Sequence, residues 1–146
     1  MNVYLACTVR GNRAALDSAR RIALTIGECG HIVLTSHLLD DNVDVAESTL
    51  TEQEVFERDL AWLARADVLI AEASGSSFGV GFEVGYFLAD AAASGRHALL
   101  LYDASRRHLV SRLAIGNSHP HCTTRAYHDA ADLSRAVEGF LTPAAG

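Results

Sequence analysis

The chain has 146 residues, 49% of them apolar, and a net charge of −6. That is the length of one ordinary domain with enough apolar residues for a core, which excludes a disordered chain. The acidic balance excludes a bulk nucleic-acid binder, and no apolar run is long enough to span a membrane. All 12 basic residues are Arg, which reads as a coding bias and not as function. Three cysteines, Cys7, Cys29 and Cys122, form no close pair and no metal spacing. They suit free thiols in a reducing compartment, and the N-terminus MNVYLACTVRG lacks the basic start of a secretory leader. The expectation is a single cytoplasmic domain over residues 1–146.

The elements follow in chain order. Val3–Cys7 reads as a strand, residues 13–29 as a helix, and Gly30 as its left-handed cap. Ile32–Thr35 is a second strand. His37–Glu47 is an acidic segment that either covers a crevice or, as is commoner, is a solvated connection. Thr51 and Glu54 form a capping box that opens a helix over 51–66. A strand at Val68–Ala71 leads to a helix over 79–94, then Ala98–Tyr102 to a helix over 105–115. Cys122–Tyr127 is a fifth strand, and Asp129 caps a last helix over 129–141.

The first four strands are nearly continuous apolar runs, as in a parallel sheet covered on both faces. The fifth, CTTRAY, is more polar and suits an edge. Strand–helix alternation along the whole chain predicts a doubly wound α/β fold, Rossmann- or flavodoxin-like, with strand order 2-1-3-4-5. Ligands of such sheets bind beyond the carboxyl ends of the strands where the order reverses. That point lies between the first and third strands, flanked by the loops Thr8–Arg13 and Ser74–Gly79.

The stretch SFGVGFEVGY (77–86) begins at this crevice. It is not the dinucleotide fingerprint, because the spacing is wrong and it follows the third strand. Gly79 opens a helix whose free N–H groups favour an anion, and Ser77 adds a hydroxyl. Gly81, Gly85 and Ala89 form a smooth stripe, read as packing against a strand or a second subunit. Glu83 lies one turn beyond Gly79, about 5.4 Å along the axis. A phosphate at the helix start would put a sugar's anomeric carbon beside Glu83, a geometry that suits a nucleoside monophosphate.

Asp59 is the second carboxylate out of place. Val55, Phe56, Trp62 and Leu63 lie three and four residues from it, on one apolar stripe. It is either a buried structural acceptor or a functional acid with a raised pKa, and the pattern does not choose. Glu54 and Arg58 read as an ordinary surface pair on the opposite face. Two carboxylates at a crevice are the equipment for glycosidic cleavage with retention. Tyr4 could orient one of them, although a core tyrosine is the commoner case. Arg10 in the first crevice loop offers donors to a phosphate, base or carboxylate, and Arg13 reads as solvent-facing. His37 follows the second strand at its carboxyl end. SHPHC (118–122) lacks a fourth metal ligand at a plausible spacing.

Three stretches together resemble the nucleoside deoxyribosyltransferase superfamily: VYLACTVRGNR, ERDLAWLARADVLIAEAS and SSFGVGFEVGYFLA. They look most like its 2'-deoxynucleoside 5'-monophosphate N-glycosidase branch. The resemblance implies Glu83 as nucleophile, Asp59 as general acid and base contact, and Tyr4 as the holder of Glu83. It implies a nucleotide site lined by Thr8, Val9, Arg10, Gly11 and His37, and a 5'-phosphate site at Ser77 and Gly79. Ser111 in HLVSRLAIG matches a serine supplied by a neighbouring subunit, so a homodimer is expected, with no metal or cofactor. The implied reaction is hydrolysis of a (2'-deoxy)nucleoside 5'-monophosphate to free base and sugar 5-phosphate. The alternatives are a deoxyribosyltransferase, a ribonucleotide (CMP-type) N-glycosidase and, from another class, a non-catalytic nucleotide-binding module. The phosphate site argues against transfer, and retention of both carboxylates argues against binding alone.

Overall fold

The computed structural model describes residues 1–8 and 15–142. Its strands are β1 (Asn2–Ala6), β2 (Ile32–Val33), β3 (Val68–Glu72), β4 (His97–Asp103) and β5 (Cys122–Tyr127). Its helices are α1 (Leu16–Glu28), α2 (Val43–Glu47), α3 (Glu52–Arg65), α4 (Phe78–Ser94), α5 (Arg112–Ile115) and α6 (Ala130–Leu141). The five strands form one sheet in the order β2-β1-β3-β4-β5, every pair parallel. β1 and β3 lie side by side in register from Val3 with Val68 to Ala6 with Ala71. The reversal of strand order therefore falls where the sequence places it, between β1 and β3.

Side-chain alternation divides the core in two. Tyr4, Ala6, Leu69 and Ala71 face α3 and α4, meeting Leu63, Val80, Val84, Phe87 and Leu88. Val3, Leu5, Ile70, Leu99 and Leu101 face α1 and α6, meeting Ile22, Ile26, Leu133 and Val137. A strand with apolar residues on both faces must be covered on both, hence the continuous runs in β1, β3 and β4.

The helix ends follow local chemistry. Thr51 and Glu54 close a reciprocal capping box on α3, Asp129 accepts from the Asp132 N–H at the start of α6, and Gly30 takes φ +77° after α1. Gly95 does the same after α4 at φ +70°. Glycine pays no Cβ penalty there.

Three sequence expectations need correction. β2 has two residues, because after Val33 the chain turns into a 3-10 segment at Ser36–Leu39. Thr35 leaves the ladder and exchanges hydrogen bonds with Leu5 through its own hydroxyl, at 3.1 and 2.7 Å. The acidic segment 37–47 is not a bare loop, since it carries α2 and buries Glu47. The helix expected over 105–115 is broken into a 3-10 segment, Ala104–Leu109, and the short α5. Between them Val110 is extended and buried, pulling the chain off a helical path.

Candidate active site

Two elements bring the first pair together. Tyr4 sits mid-strand in β1, buried, and points to the α4 side of the sheet. Glu83 is on the second turn of α4, half-buried. The Tyr4 hydroxyl donates to Glu83 Oε1 at 2.6 Å. Burial pushes the Glu83 carboxyl up to about 7, with the Asp59 charge adding to the rise, while the Tyr4 hydrogen bond and the Arg58 charge pull it down. Burial and the Glu83 charge hold the Tyr4 hydroxyl protonated. It is thus a permanent donor to the carboxylate.

Asp59 stands on α3 beside this pair. Burial raises its pKa, opposed by a hydrogen bond and charge from Arg58, with Glu47 raising it further. Arg58 Nε donates to Asp59 Oδ1 at 2.9 Å, and Nη2 donates to Glu47 Oε1 at 2.7 Å. The guanidinium lies over the Trp62 ring, 4.9 Å from its centroid. Arg58 is therefore not the surface partner of Glu54, whose carboxylate is taken by the Thr51 cap. His37 completes the cluster, its ring 5.1 Å from Trp62. Its Nε2 faces Glu47 Oε1 at 3.5 Å without hydrogen-bond geometry. Burial first, then the Arg58 charge, lowers the His37 pKa, which disfavours the charged ring despite the nearby Glu47 carboxylate.

The start of α4 leaves a serine hydroxyl uncommitted. Ser77 is its extended N-cap, with no side-chain capping bond. A Cβ on Gly79 would stand 3.7 Å from Ser77 Oγ, so the glycine leaves the space in front of the serine clear. The preceding Ser76 has φ +49°, the described non-glycine residue with positive φ. Such a residue stores local strain that the surrounding structure must hold, often at a functional loop.

From the start of α4 an apolar groove of about 600 Å³ runs between α4 and α5. Ser77, Phe78, Gly81, Phe82, Gly85 and Ser111 are among its lining residues. Phe78 is 91% exposed and Leu113 88%. Phe82 stacks on Tyr86, with ring centroids 6.1 Å apart, and both are half-exposed. Gly81 and Gly85 are exposed, and a Cβ on either would meet nothing within 4 Å. The stripe therefore does not pack on a strand of its own chain, which corrects one of the two readings offered by the sequence. Ser111 is the exposed N-cap of α5 with no capping bond, and one chain brings it to the same groove as Ser77.

The structure gathers Tyr4, Asp59, Glu83 and His37 into one network, with Ser77 and Gly79 one turn before Glu83. Thr8 lies half-buried just past β1 at the crevice. Val9, Arg10, Gly11 and Arg13 lie outside the described residues. Sequence reasoning missed Glu47, Arg58 and Trp62. A half-buried arginine one residue from an acid has no helical-spacing pattern, and its partner Glu47 comes from another element. His119 and His121 do not build a metal centre: among the described residues no cluster of three potential ligands is suited to one. His121 Nδ1 lies instead 3.1 Å from the Arg96 carbonyl.

Comparisons with known proteins bear on this arrangement. The family model for nucleoside 2-deoxyribosyltransferase matches residues 3–140. A Thermofilum pendens protein, provisionally named 2'-deoxynucleoside 5'-phosphate N-hydrolase 1, is 39% identical over 141 residues, 97% of this chain and 95% of its own. The mouse 5-hydroxymethyl-dUMP N-hydrolase is 34% identical over 117 residues, 79% of this chain and 65% of its own. The solved CMP N-glycosidase of Clostridium botulinum shares the fold at a TM-score of 0.69 and 16% identity, covering 97% of this chain and 100% of its own.

Proposed function

The chain belongs to the nucleoside 2-deoxyribosyltransferase family, and from that premise we propose that it hydrolyses the N-glycosidic bond of a 2'-deoxynucleoside 5'-monophosphate. The products are a free base and 2-deoxyribose 5-phosphate. The observation that carries this reading is the Tyr4-held carboxylate of Glu83, one helical turn beyond the open N-terminus of α4 at Ser77 and Gly79. The names of the Thermofilum and mouse relatives, both N-hydrolases of deoxynucleoside monophosphates, support hydrolysis of a phosphorylated substrate.

In this mechanism the 5'-phosphate sits against the first N–H groups of α4 and the Ser77 hydroxyl. Thr8, Val9, Arg10, Gly11 and His37 line the nucleotide. The Glu83 carboxylate attacks C1′. As the new C–O bond forms, the C1′–N bond breaks and its electron pair stays on the base, which takes a proton from the Asp59 carboxyl. Water then attacks C1′, Asp59 takes a proton from it, and the ester to Glu83 breaks. The two carboxyls repel, so a single proton shared between them is the state in which one attacks and the other donates. The chemistry calls for no metal or cofactor.

The active unit in this reading is a homodimer. Phe78, Phe82, Tyr86 and Leu113 leave exposed apolar side chains around the glycine stripe, the kind of surface that marks an interaction site when contiguous. An isologous contact across α4 would bury it and bring the partner's α5 start to the phosphate side. Ser111 is then shared across the interface. The cysteine content, with no close pair in sequence, fits a reducing cytoplasm. No helix among the described residues is long and apolar enough to cross a membrane.

The test is free-base release from a panel of ribo- and deoxyribonucleosides, each with and without the 5'-phosphate. Release from deoxynucleoside monophosphates, with sugar 5-phosphate as co-product, is the expected result. Base exchange without net hydrolysis would mark a transferase, and binding without turnover would mark a nucleotide-binding module.

A further inference from the structure

We propose that Arg58 is a positioning residue of this reaction: anchored on Glu47 and stacked over Trp62, it fixes Asp59 through Oδ1 and supplies the positive charge that faces both active-site carboxyl groups. The inference rests on the roles proposed above for Asp59 and Glu83.

Adjacent residues on a helix diverge by about 100° and do not normally meet. Arg58 reaches Asp59 because its side chain is turned along the surface of α3 and pinned from two other directions. Glu47, buried on α2, accepts from Nη2 at 2.7 Å. Trp62, one turn later, lies under the guanidinium at 4.9 Å. Nε and Nη2 both lie 2.9 Å from Asp59 Oδ1. Among the described residues nothing donates to Oδ2, so that oxygen is the one left for the proton and the departing base. A lysine could supply the charge, but not one nitrogen donating to Asp59 and another donating to Glu47 from a single rigid plane.

The charged and titratable groups facing Asp59 are Arg58, Glu47, His37, Glu83 and Tyr4, and those facing Glu83 are Tyr4, Asp59 and Arg58. Arg58 is the cation common to both sets. Without it, the Tyr4 hydrogen bond is left as the named opposition to burial and repulsion at Glu83, and the Glu83 carboxyl, already at about 7, moves further up. Less of the attacking carboxylate is then present at neutral pH. Glu47 acts with two opposite signs. Its charge raises the Asp59 pKa, so neutralising it favours ionisation, whereas losing its grip on Arg58 disorders the clamp. A variant at Glu47 therefore separates placement from charge.

The experiment compares Arg58→Gln, Arg58→Lys and Glu47→Gln with wild type across pH, using the deoxynucleoside monophosphate that wild type cleaves best. Carbon-13 NMR titration of the Asp59 and Glu83 carboxyls runs in parallel and needs no turnover. Arg58→Gln is expected to lower kcat at pH 7 by about a hundredfold and to move the acidic limb of kcat/KM and both titrations to higher pH. Arg58→Lys should restore the position of the limb but not the full kcat. Glu47→Gln should lower kcat by about tenfold with no upward movement of the limb. A folded Arg58→Gln with unmoved titrations overturns the inference, and so does Arg58→Lys with wild-type kcat. If Arg58→Gln does not fold, the lysine and Glu47 variants decide by the same criteria. If wild type releases no base from any monophosphate, the reaction assignment fails, and the Asp59 titration in Arg58→Gln still judges the clamp.

Discussion

The hydroxyl of Tyr4 donates to Oε1 of Glu83 at 2.6 Å, joining the middle of the first strand to the second turn of α4. The tyrosine ring is anchored in the sheet, so the hydroxyl has little freedom. It therefore fixes one carboxylate oxygen; in the proposed reaction the other is left for the sugar. Tyr4→Phe keeps the ring and removes only the donor. Hydrogen bonds to charged groups are worth roughly 1.5–3 kcal/mol, so kcat should fall by about ten- to a hundredfold. The acidic limb of kcat/KM should move to higher pH, because the lost bond favoured the ionised form. Steady-state kinetics across pH check both effects, and an unchanged rate would remove Tyr4 from the site.

Glu83→Ala should abolish turnover with the fold intact, measured as base release alongside circular dichroism. Glu83→Gln adds a test of burial by way of stability. The Glu83 pKa rises from 4.5 in the unfolded chain to about 7 in the folded protein. A raised carboxyl pKa contributes stability that is fully present below the unfolded value and is lost as pH rises through the folded one. The glutamine variant is neutral throughout. Its melting temperature should draw ahead of wild type from about pH 4.5 upward and level off above about pH 7. A constant difference across that window would mean that Glu83 is not buried as described.

Asp59→Asn should lower kcat by roughly 10²–10⁴-fold, because an amide cannot deliver a proton to the departing base. The loss should be smallest for bases that leave well unprotonated. A small loss that ignores the leaving group would make Asp59 structural. The same variant removes a negative charge beside Glu83, so the acidic limb should move to lower pH, opposite to Tyr4→Phe.

Much of this site was legible in the sequence, for identifiable reasons. Parallel strands covered on both faces leave apolar runs, so the sheet and its point of reversal could be read. Gly79 and Glu83 share one helix, so their one-turn relation is fixed by helix geometry alone. The Tyr4–Glu83 bond spans 79 residues, and without the family resemblance nothing in the local pattern separates Tyr4 from a core tyrosine. The Glu47–Arg58 contact was invisible because Glu47 sat in an acidic stretch that reads as solvated, and Arg58 fell on the nominally polar side of α3. The break at Val110 escaped because residues 105–115 keep helix-forming composition while packing draws one residue inward.

Another buried carboxylate should matter to the fold and not to the reaction. Glu72 is 2% exposed at the end of β3. It accepts from the Ser74 hydroxyl at 2.5 Å, from the Ser74 N–H at 3.1 Å and from the Tyr127 hydroxyl at 2.9 Å. Tyr127 also meets Ser18 of α1, so the cluster ties β3, β5 and α1 together. Tyr127→Phe leaves Glu72 short of one donor and should cost about 1–3 kcal/mol, read as a lower denaturant midpoint with unchanged slope. Turnover at pH 7 should be retained.

The last prediction concerns Ser77, Ser111 and assembly. One chain brings both serines to a single groove, so Ser111 either completes the phosphate site of its own chain or, once α4 pairs with its copy, that of the partner. Neither N-cap hydroxyl is spent on its own helix. Each lost hydrogen bond to phosphate should lower kcat/KM by about tenfold or more, in Ser111→Ala and in Ser77→Ala alike. Removing the substrate's phosphate should have at least as large an effect. The two placements of Ser111 separate when Ser111→Ala and Glu83→Ala proteins are mixed and allowed to exchange subunits. With a shared site, each mixed dimer holds one site with both defects and one with none, because intact Glu83 and intact Ser111 then meet from different chains. Activity should rise above the sum of the separate proteins, in proportion to the mixed dimer measured by native mass spectrometry. With an unshared site every site in the mixture keeps one defect, and no rise occurs. Confirmed exchange without recovery would assign Ser111 to its own chain. A fully active monomer, with Phe78 and Leu113 left in solvent, would remove the dimer from the reading altogether.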